Sequence, residues 1–162
     1  MFEYVISPED RIISGAIYTP KSIREFILDQ ILSEYPDNST IQICDPACGC
    51  AGFLYTAAKI LKKKTGKTYR SIFHENLFGL DVQNYSIERA SILLSLFAIT
   101  EGEDDEIFEF NLYNGNALNF EWQNHVTNFH GFTAVVGNPP YVCSRNIEDE
   151  SKELLQNWLV CS

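Results

Sequence analysis

The sequence has no long hydrophobic run and no recognisable leader. Its N-terminus lacks a basic start followed by an apolar segment, so we predict no signal peptide. The most apolar stretch, residues 87–100, is interrupted by Glu88 and Arg89 and is too short to cross a bilayer. These absences favour a soluble, cytoplasmic protein with no membrane partner.

Positive charge is also scarce. The chain has 12 basic residues against 22 acidic ones, which gives a formal net charge of −10. Proteins that bind DNA usually do so through Lys and Arg contacts to phosphates. The charge alone therefore favours an enzyme of small molecules, and any DNA-binding surface is expected outside these residues.

The five cysteines and three histidines do not form a recognisable metal site. Cys44, Cys48 and Cys50 are crowded together, a spacing that suits neither a disulfide framework nor a paired Cys-x-x-Cys zinc site. The histidines show no ligand spacing. We interpret the cysteines as reduced thiols and predict no metal.

With 162 residues, 45% of them hydrophobic, the chain can form one core of ordinary size. We predict a single domain, with an N-terminal helical segment at 1–36 and an α/β core at 37–162. The helix should begin with a cap at Thr19-Pro20 and run to about Tyr35. One apolar face of this helix is expected to be buried, comprising Ile23, Phe26, Ile27 and Ile31.

Strand and helix patterns alternate through the core. Strands are predicted at 41–44, 77–80, 107–112 and 132–136, and helices at 52–64, 84–99 and 148–159. Lys62, Lys63 and Lys64 suit a helix C-terminus, and 101–106 is predicted to be a solvated acidic loop. This alternation indicates a parallel sheet whose ligands bind beyond the strand ends. Four polar residues should line that rim: Asp45, Asp81, Asn116 and Asn138.

The loop after the first predicted strand contains Asp45-Pro46-Ala47-Cys48-Gly49, then Cys50, Ala51 and Gly52. Small residues after a strand let the backbone approach a ligand, and the next helix offers free N–H groups. A plain tight turn would explain the pattern equally well. Asp81 could accept hydrogen bonds from a ribose diol, although a capping role remains open.

Gly137-Asn138-Pro139-Pro140-Tyr141 is the most informative segment. Two prolines hold an extended backbone and leave carbonyls without neighbouring N–H donors. The Asn138 side chain and the Pro139 carbonyl could together accept both hydrogens of an exocyclic amine. Tyr141 offers an aromatic face for stacking a base, which contributes ~1–3 kcal/mol. The alternative is an ordinary Asn-Pro loop.

The combination of 45–49 with Asn138-Pro139-Pro140-Tyr141 resembles DNA adenine-N6 methyltransferases. Tyr18-Thr19-Pro20 is similar to that family's N-terminal cofactor motif, and 115–118 resembles its adenine-contacting segment. The motif order is that of the gamma group, which includes type I modification subunits and fused restriction–modification enzymes. The resemblance implies a Rossmann-like, doubly wound, mostly parallel α/β sheet of the S-adenosylmethionine-dependent methyltransferase type, of which this chain would hold about four strands.

The resemblance also implies roles for individual residues. Asn138, Pro139, Pro140 and Tyr141 would hold a flipped adenine for methylation. S-adenosylmethionine would be bound by three groups of residues. The adenine part would contact Val82, Asn116 and Ala117, and the ribose would be bound by Asp81. The methionine part would be bound by the N-terminal motif and the first loop, namely Tyr18, Thr19, Pro20, Asp45, Pro46, Ala47, Cys48, Gly49 and Gly52.

Partners follow from the same resemblance. DNA would bind through segments outside this chain, in a restriction–modification system with a restriction or specificity subunit. Further strands and a DNA-recognition domain are expected elsewhere, so this piece alone should be inactive. The first strand should be central with the fourth beside it, and the fourth strand's open edge would permit self-association.

Three residues differ from the family pattern. Cys50 and Ala51 stand where serine or threonine and then glycine are usual, and Asn116 stands where aspartate is common. The alanine methyl would narrow the loop. Two other functions remain open: a protein-glutamine or RNA amino-methyltransferase, since Asn-Pro-Pro-Tyr suits any flat amide or amine, and a non-catalytic binding module.

Overall fold

A computed structural model describes residues 18–35, 41–104, 107–140 and 149–156. The helices in these ranges are α1 (Lys21–Ser33), α2 (Gly52–Thr65), α3 (Tyr69–Glu75), α4 (Asn84–Thr100) and α5 (Asp149–Gln156). The strands are β1 (Ile43–Asp45), β2 (Leu77–Asp81), β3 (Asn111–Asn114) and β4 (Ala134–Val135), and a 3-10 turn spans Trp122–Asn124.

The four strands form one parallel sheet in the order β3-β2-β1-β4. Ile43 of β1 pairs with Leu77 on one side and with Ala134 on the other. The predicted parallel α/β architecture, with the first strand central and the fourth beside it, is confirmed. Because the strands are parallel, their carboxyl ends meet at one edge of the sheet, where ligands bind in folds of this type.

The predicted strand bounds were wrong in detail. The segment 107–112 was expected to be a strand, but β3 begins only at Asn111. Phe108 and Phe110 instead pack their rings against Phe73 of α3, with centroids 5.9 and 5.1 Å apart. Only two residues of the predicted strand 132–136 form strand pairs in the sheet, although Thr133 N and Val136 N also donate to Gln42 O and Cys44 O. The Phe132 ring packs on Phe78.

The buried face of α1 also differs from the prediction. Ile27 and Ile31 pack against the core as expected, but Ile23 and Phe26 are exposed and Leu28 and Leu32 are fully buried. The helix packs on α2, and its buried positions are the leucines at 28 and 32.

The predicted Thr19 cap is not formed either. Pro20 occupies the N-cap position in an extended conformation, and no side chain caps the helix there. The Pro20 carbonyl accepts the backbone N–H groups of Ile23 and Arg24.

Two segments after α2 refine the prediction. The helix ends as expected after its three lysines, with Gly66 in the left-handed conformation. The helix α3 was not predicted; Thr68 caps it by accepting from Ser71 N at 3.2 Å. Glu103 was expected to be merely solvated, but it pairs with Lys62 and accepts the free N–H groups at the start of α3.

The sheet has two differently covered faces. Helices α2 and α4 cover one face, where Leu54, Ala57, Leu61 and Leu94 are buried. The other face carries an aromatic cluster near β2 and β3, formed by Phe78, Tyr113, Phe120, Trp122 and Phe132. None of the helices in the described ranges combines the length and apolar character that a membrane span requires.

Candidate functional site

The loop at 45–52, here called the cofactor loop, leaves β1 at the carboxyl edge of the sheet. Ala47 N donates to the Asp45 side chain at 3.1 Å. Cys48 N donates to Leu80 O at 2.9 Å, and Gly49 N donates to Asp81 Oδ2 at 2.9 Å. The loop is therefore fastened to the end of β2 by its own backbone, as well as to β1.

The loop turns through two left-handed residues. Gly49 has φ 52° and Ala51 has φ 64°. Glycine adopts this conformation freely, whereas for an L-residue it costs roughly 1–2 kcal/mol. The Ala51 side chain is also fully buried. Position 51 is thus a place where the backbone favours the glycine of the family pattern, and this chain carries alanine there.

The three cysteines of this region are free and buried. Burial raises the pKa of the Cys44 and Cys48 thiols, and the Asp45 carboxyl adds to that rise. Both thiols are therefore protonated and unreactive at neutral pH. The expectation of free thiols is confirmed for Cys44, Cys48 and Cys50.

Asp45 is a carboxyl group held inside the protein. It is 2% exposed, and burial raises its pKa to about 7, with a smaller contribution from the charge of Asp81. The hydrogen bond from Ala47 N opposes that rise. A Cβ atom built on Gly137 would lie 2.8 Å from Asp45 Oδ1. The segment that contains Gly137 therefore lies against this carboxyl group of the cofactor loop.

Asp81 is half-buried at the end of β2. Burial raises its pKa, while hydrogen bonds from Gln83 N and Gly49 N oppose that rise. Each carboxyl oxygen accepts one of these N–H groups, at 2.8 and 2.9 Å. Since a carboxylate oxygen has two lone pairs, each can accept one more hydrogen bond. The capping and ligand-binding interpretations of Asp81 are thus compatible.

The loop at 137–140, here called the catalytic loop, follows β4. Its last backbone anchor to the sheet is Val136 N, which donates to Cys44 O at 2.8 Å. Asn138 is half-buried, whereas Pro139 and Pro140 are exposed. Tyr141 lies outside the described residues.

A cavity of about 230 Å³ lies between the catalytic loop and the N-terminal motif. Tyr18, Thr19 and Pro20 form one side, and Gly137 and Asn138 form another. Three apolar residues of its lining were not predicted to belong to the site, namely Ile23, Ile27 and Phe53. Helix periodicity places Ile23 in the core, and its exposure is explained by this cavity.

The predicted adenine-contacting residues lie apart from that cavity. Asn116 Oδ1 accepts from Leu118 N, and Asn116 Nδ2 donates to Ser151 Oγ of α5, both at 3.1 Å. Ala117 and Val82 are exposed. Asn114 Nδ2 donates to both Asp81 O and Val82 O at 2.9 Å, which fixes the end of β2 to β3. Among the described residues, the cavity lining includes neither Asp81 nor Asn116.

The arrangement agrees with a comparison across protein families. Residues 1–158 match the family model described as N-6 DNA Methylase. The chain belongs to this family. The match covers the N-terminal motif, the cofactor loop and the catalytic loop in one continuous span. None of the residues 45–52 of the cofactor loop is part of the cavity lining.

Individual relatives are larger proteins. The chain is 25% identical over 142 residues to the type II restriction enzyme and methyltransferase RM.BcgI of Heyndrickxia coagulans, covering 86% of this chain and 20% of that protein. It is 26% identical over 136 residues to the type I restriction enzyme MpnII methylase subunit of Mycoplasma pneumoniae, covering 80% and 22%. The chain therefore spans about a fifth of the length of these curated relatives.

A solved structure shares the fold. It is assigned as a class I S-adenosylmethionine-dependent methyltransferase of Listeria monocytogenes, is 20% identical, and superimposes with a TM-score of 0.60 over 99% of this chain and 40% of its own. The Rossmann-like methyltransferase fold expected from the sequence is confirmed.

Proposed function

We propose that this chain is part of an enzyme that transfers a methyl group from S-adenosylmethionine to the exocyclic amine of adenine in DNA, within a restriction–modification system. The observation that carries the proposal is the shared cavity, which is lined by Asn138 and by the N-terminal motif Tyr18-Thr19-Pro20. Methyl transfer requires that the methyl donor and the amine acceptor bind next to each other, and this cavity adjoins both proposed binding segments. Membership of the N-6 DNA methylase family supports the same reaction.

The residues present fit S-adenosylmethionine. The backbone of the cofactor loop is hydrogen-bonded to β2, so the loop conformation is fixed before a ligand binds and need not rearrange. Asp81 keeps unused lone pairs for ribose hydroxyls, and the exposed Val82 beside it offers apolar surface to an adenine ring. Asn116 Oδ1 also has a lone pair left for an adenine amine.

We assign the remaining cofactor contacts as the family resemblance implies. When bound, the cofactor would supply an electrophilic methyl group. Its methionine part would be held by the N-terminal motif and the cofactor loop: Tyr18, Thr19, Pro20, Asp45, Pro46, Ala47, Cys48, Gly49 and Gly52. Ala117 would lie with Asn116 and Val82 at its adenine.

The catalytic loop would act on the acceptor. Asn138 Oδ1 and Pro139 O can each accept one hydrogen of the target amine, which turns the nitrogen lone pair out of ring conjugation. Neither proline has an N–H group that would compete for these acceptors. Pro140 would keep the loop extended, and Tyr141 would stack on the base. A base in a duplex must leave the helix to reach this loop.

Asn138→Ala tests the assignment in the full-length protein. We expect methyl transfer to adenine in DNA to fall by at least ~100-fold, the range for a group that acts in the transition state. S-adenosylhomocysteine binding should remain nearly unchanged. Asn124→Ala, on the exposed 3-10 turn, is the matched control and should leave both measurements unaltered.

Transfer of label from S-adenosylmethionine and a binding titration give the two readouts. Retained transfer by Asn138→Ala would refute the catalytic assignment. Equal labelling of RNA or of protein glutamine in place of DNA would refute the acceptor class, and cofactor binding with no transfer at all would favour a binding module.

Partners follow from charge and from the edge of the sheet. With a net charge of −10 the chain offers little attraction to phosphates, so we propose that DNA is bound by other segments or by a specificity or restriction subunit.

Among the described strands β4 pairs only with β1, and Val135 is 62% exposed. This open edge would pair with a further strand or with another copy of the chain, and sedimentation of the 162-residue chain measures the second case.

A further inference from the structure

Arg24 joins the first turn of α1 to the start of α2. Its Nη1 atom donates to Thr19 O at 2.7 Å, and its Nε atom donates to Thr56 Oγ1 at 3.1 Å. Thr19 belongs to the N-terminal motif that lines the cavity, whereas Thr56 lies on the helix that follows the cofactor loop. One guanidinium group therefore spans the two sides of the cofactor site.

The receiving side is built to hold the guanidinium. Thr56 is 4% exposed, and its hydroxyl donates to Gly52 O at 3.0 Å while accepting from Arg24. Both hydrogen-bonding roles of that hydroxyl are thus used. A Cβ atom at Gly52 would lie 3.2 Å from Arg24 Nη1, so the guanidinium lies against the last residue of the cofactor loop.

Helix electrostatics do not explain an arginine at this position. The first turn of a helix carries partial positive charge, which disfavours a cation. The first turn of α2 has no acidic residue to offset that effect. The directed contacts to a carbonyl and a hydroxyl are what the planar guanidinium supplies, and an ammonium group could not reproduce that fork.

A second contact fastens the same segment. The Tyr18 hydroxyl and Cys50 Sγ lie 3.8 Å apart, a distance within hydrogen-bond range for sulfur. Tyr18 and Thr19 are consecutive, so the N-terminal motif is attached to the cofactor loop and its helix at two neighbouring points. Thr19 and Asn138 line the same cavity, so the shape of the cavity depends on where this motif is held.

We propose that Arg24 is a positioning residue for the cofactor: it sets the distance between Thr19 and the cofactor loop, and so shapes the end of the site that receives the amino-acid part of S-adenosylmethionine. This inference rests on the proposed function. Arg24 does not itself line the cavity and acts through the Thr19 carbonyl. Sequence periodicity gives no indication of this role, because Arg24 occupies an ordinary polar position of α1.

The test compares two ligands that share an adenosine group. S-adenosylhomocysteine carries the amino-acid part, and methylthioadenosine lacks it. In Arg24→Gln we expect the Kd for S-adenosylhomocysteine to rise about tenfold, which corresponds to ~1.4 kcal/mol. The Kd for methylthioadenosine should stay within about twofold, a change of ~0.4 kcal/mol. A general loss of stability would weaken both ligands alike, so the ratio of the two Kd values isolates positioning.

Three further variants complete the measurement by titration calorimetry. Arg24→Lys keeps the charge but not the fork, and should give an intermediate loss. Thr56→Val keeps the side-chain shape without the hydroxyl, and should lower S-adenosylhomocysteine affinity selectively by about threefold. Lys21→Gln is the control, because among the described residues the Lys21 side chain forms a surface ion pair with Glu25 at 3.5 Å and does not contact the site.

The outcomes are separable. If the unmodified protein binds neither ligand, the proposed function fails and this inference falls with it. If the unmodified protein binds both ligands and Arg24→Gln leaves their Kd ratio unchanged, the positioning role alone is wrong. The positioning role is also wrong if Lys21→Gln changes the ratio as much as Arg24→Gln.

Discussion

The cofactor loop follows the central strand β1 and is hydrogen-bonded to β2, whereas the catalytic loop leaves the sheet from β4, an edge strand of two residues. Three consecutive N–H groups of the first loop have partners inside the protein. The second loop continues from the backbone anchor at Val136 into two exposed prolines. The protein's own backbone holds the loop that would bind the cofactor, while the loop that would contact the acceptor presents two prolines to solvent.

Gly79→Ala should have the largest effect, because it adds a methyl group beneath the well-fixed loop. The new Cβ would lie 2.6 Å from a Leu112 methyl, 2.9 Å from a Leu54 methyl and 3.1 Å from Cys48 Sγ. Overpacking of this kind costs roughly 1–3 kcal/mol, and we expect about 3 kcal/mol less unfolding free energy in urea. Adding Leu112→Val should recover part of the loss. Full stability of the single variant would show that the region yields more easily than we infer.

Asp45 should make the stability of this same region depend on pH. Burial raises its pKa to about 7 in the folded protein, above the ~3.9 of an unfolded chain. Folding therefore favours the protonated form, and the stabilisation is lost as pH rises through 7. Relative to Asp45→Asn, the unmodified protein should lose on the order of 2 kcal/mol of unfolding free energy between about pH 5.5 and 8.

Urea unfolding at several pH values measures this difference. The exposed Asp29→Asn on α1 serves as the control and should run parallel to the unmodified protein. Parallel curves for Asp45→Asn as well would mean that Asp45 is ionised throughout and is better solvated than its burial suggests.

Gly137→Ala adds the same methyl group to the catalytic loop and should cost less stability. The new Cβ meets Asp45 Oδ1 at 2.8 Å, but Gly137 itself is exposed, so a small backbone shift can relieve the contact. We expect a loss of about 1 kcal/mol in unfolding free energy. Methyl transfer should suffer more than S-adenosylhomocysteine binding, since the displaced group is Asn138. A larger loss of stability than in Gly79→Ala would overturn the comparison between the loops.

Ala51→Gly should have the smallest effect. It relieves a left-handed alanine, worth roughly 1–2 kcal/mol, but adds unfolded-state entropy of about 0.5–1 kcal/mol and removes a buried methyl worth ~0.8 kcal/mol. These contributions nearly cancel, so the unfolding free energy should change by less than ~0.5 kcal/mol. Cofactor binding should tighten slightly or stay constant. A clear loss of binding would mean that the alanine methyl supports the loop.

The order of elements other than α3 was predictable because apolar runs alternate with helical patterns. The edge rule for parallel sheets gave the expected position of the candidate site, which stays a prediction. Strand bounds were less predictable, since the alternation of Phe108 and Phe110 is typical of a strand yet serves packing on Phe73. The contacts of Arg24 could not be predicted at all. They depend on how α1 lies across α2, and no local pattern encodes that angle.

The sequence separation of the contacts in the sheet predicts an order of assembly. Gly49 and Asp81, which join the cofactor loop to β2, are 32 residues apart, whereas Gln42 and Thr133, which join β1 to β4, are 91 residues apart. Closing the longer interval costs about 0.9 kcal/mol more chain entropy, and it gains only a two-residue strand. The catalytic loop should therefore dock last during folding. A partly folded chain would already have formed the cofactor loop, but the catalytic loop that would hold a base would not yet be in place.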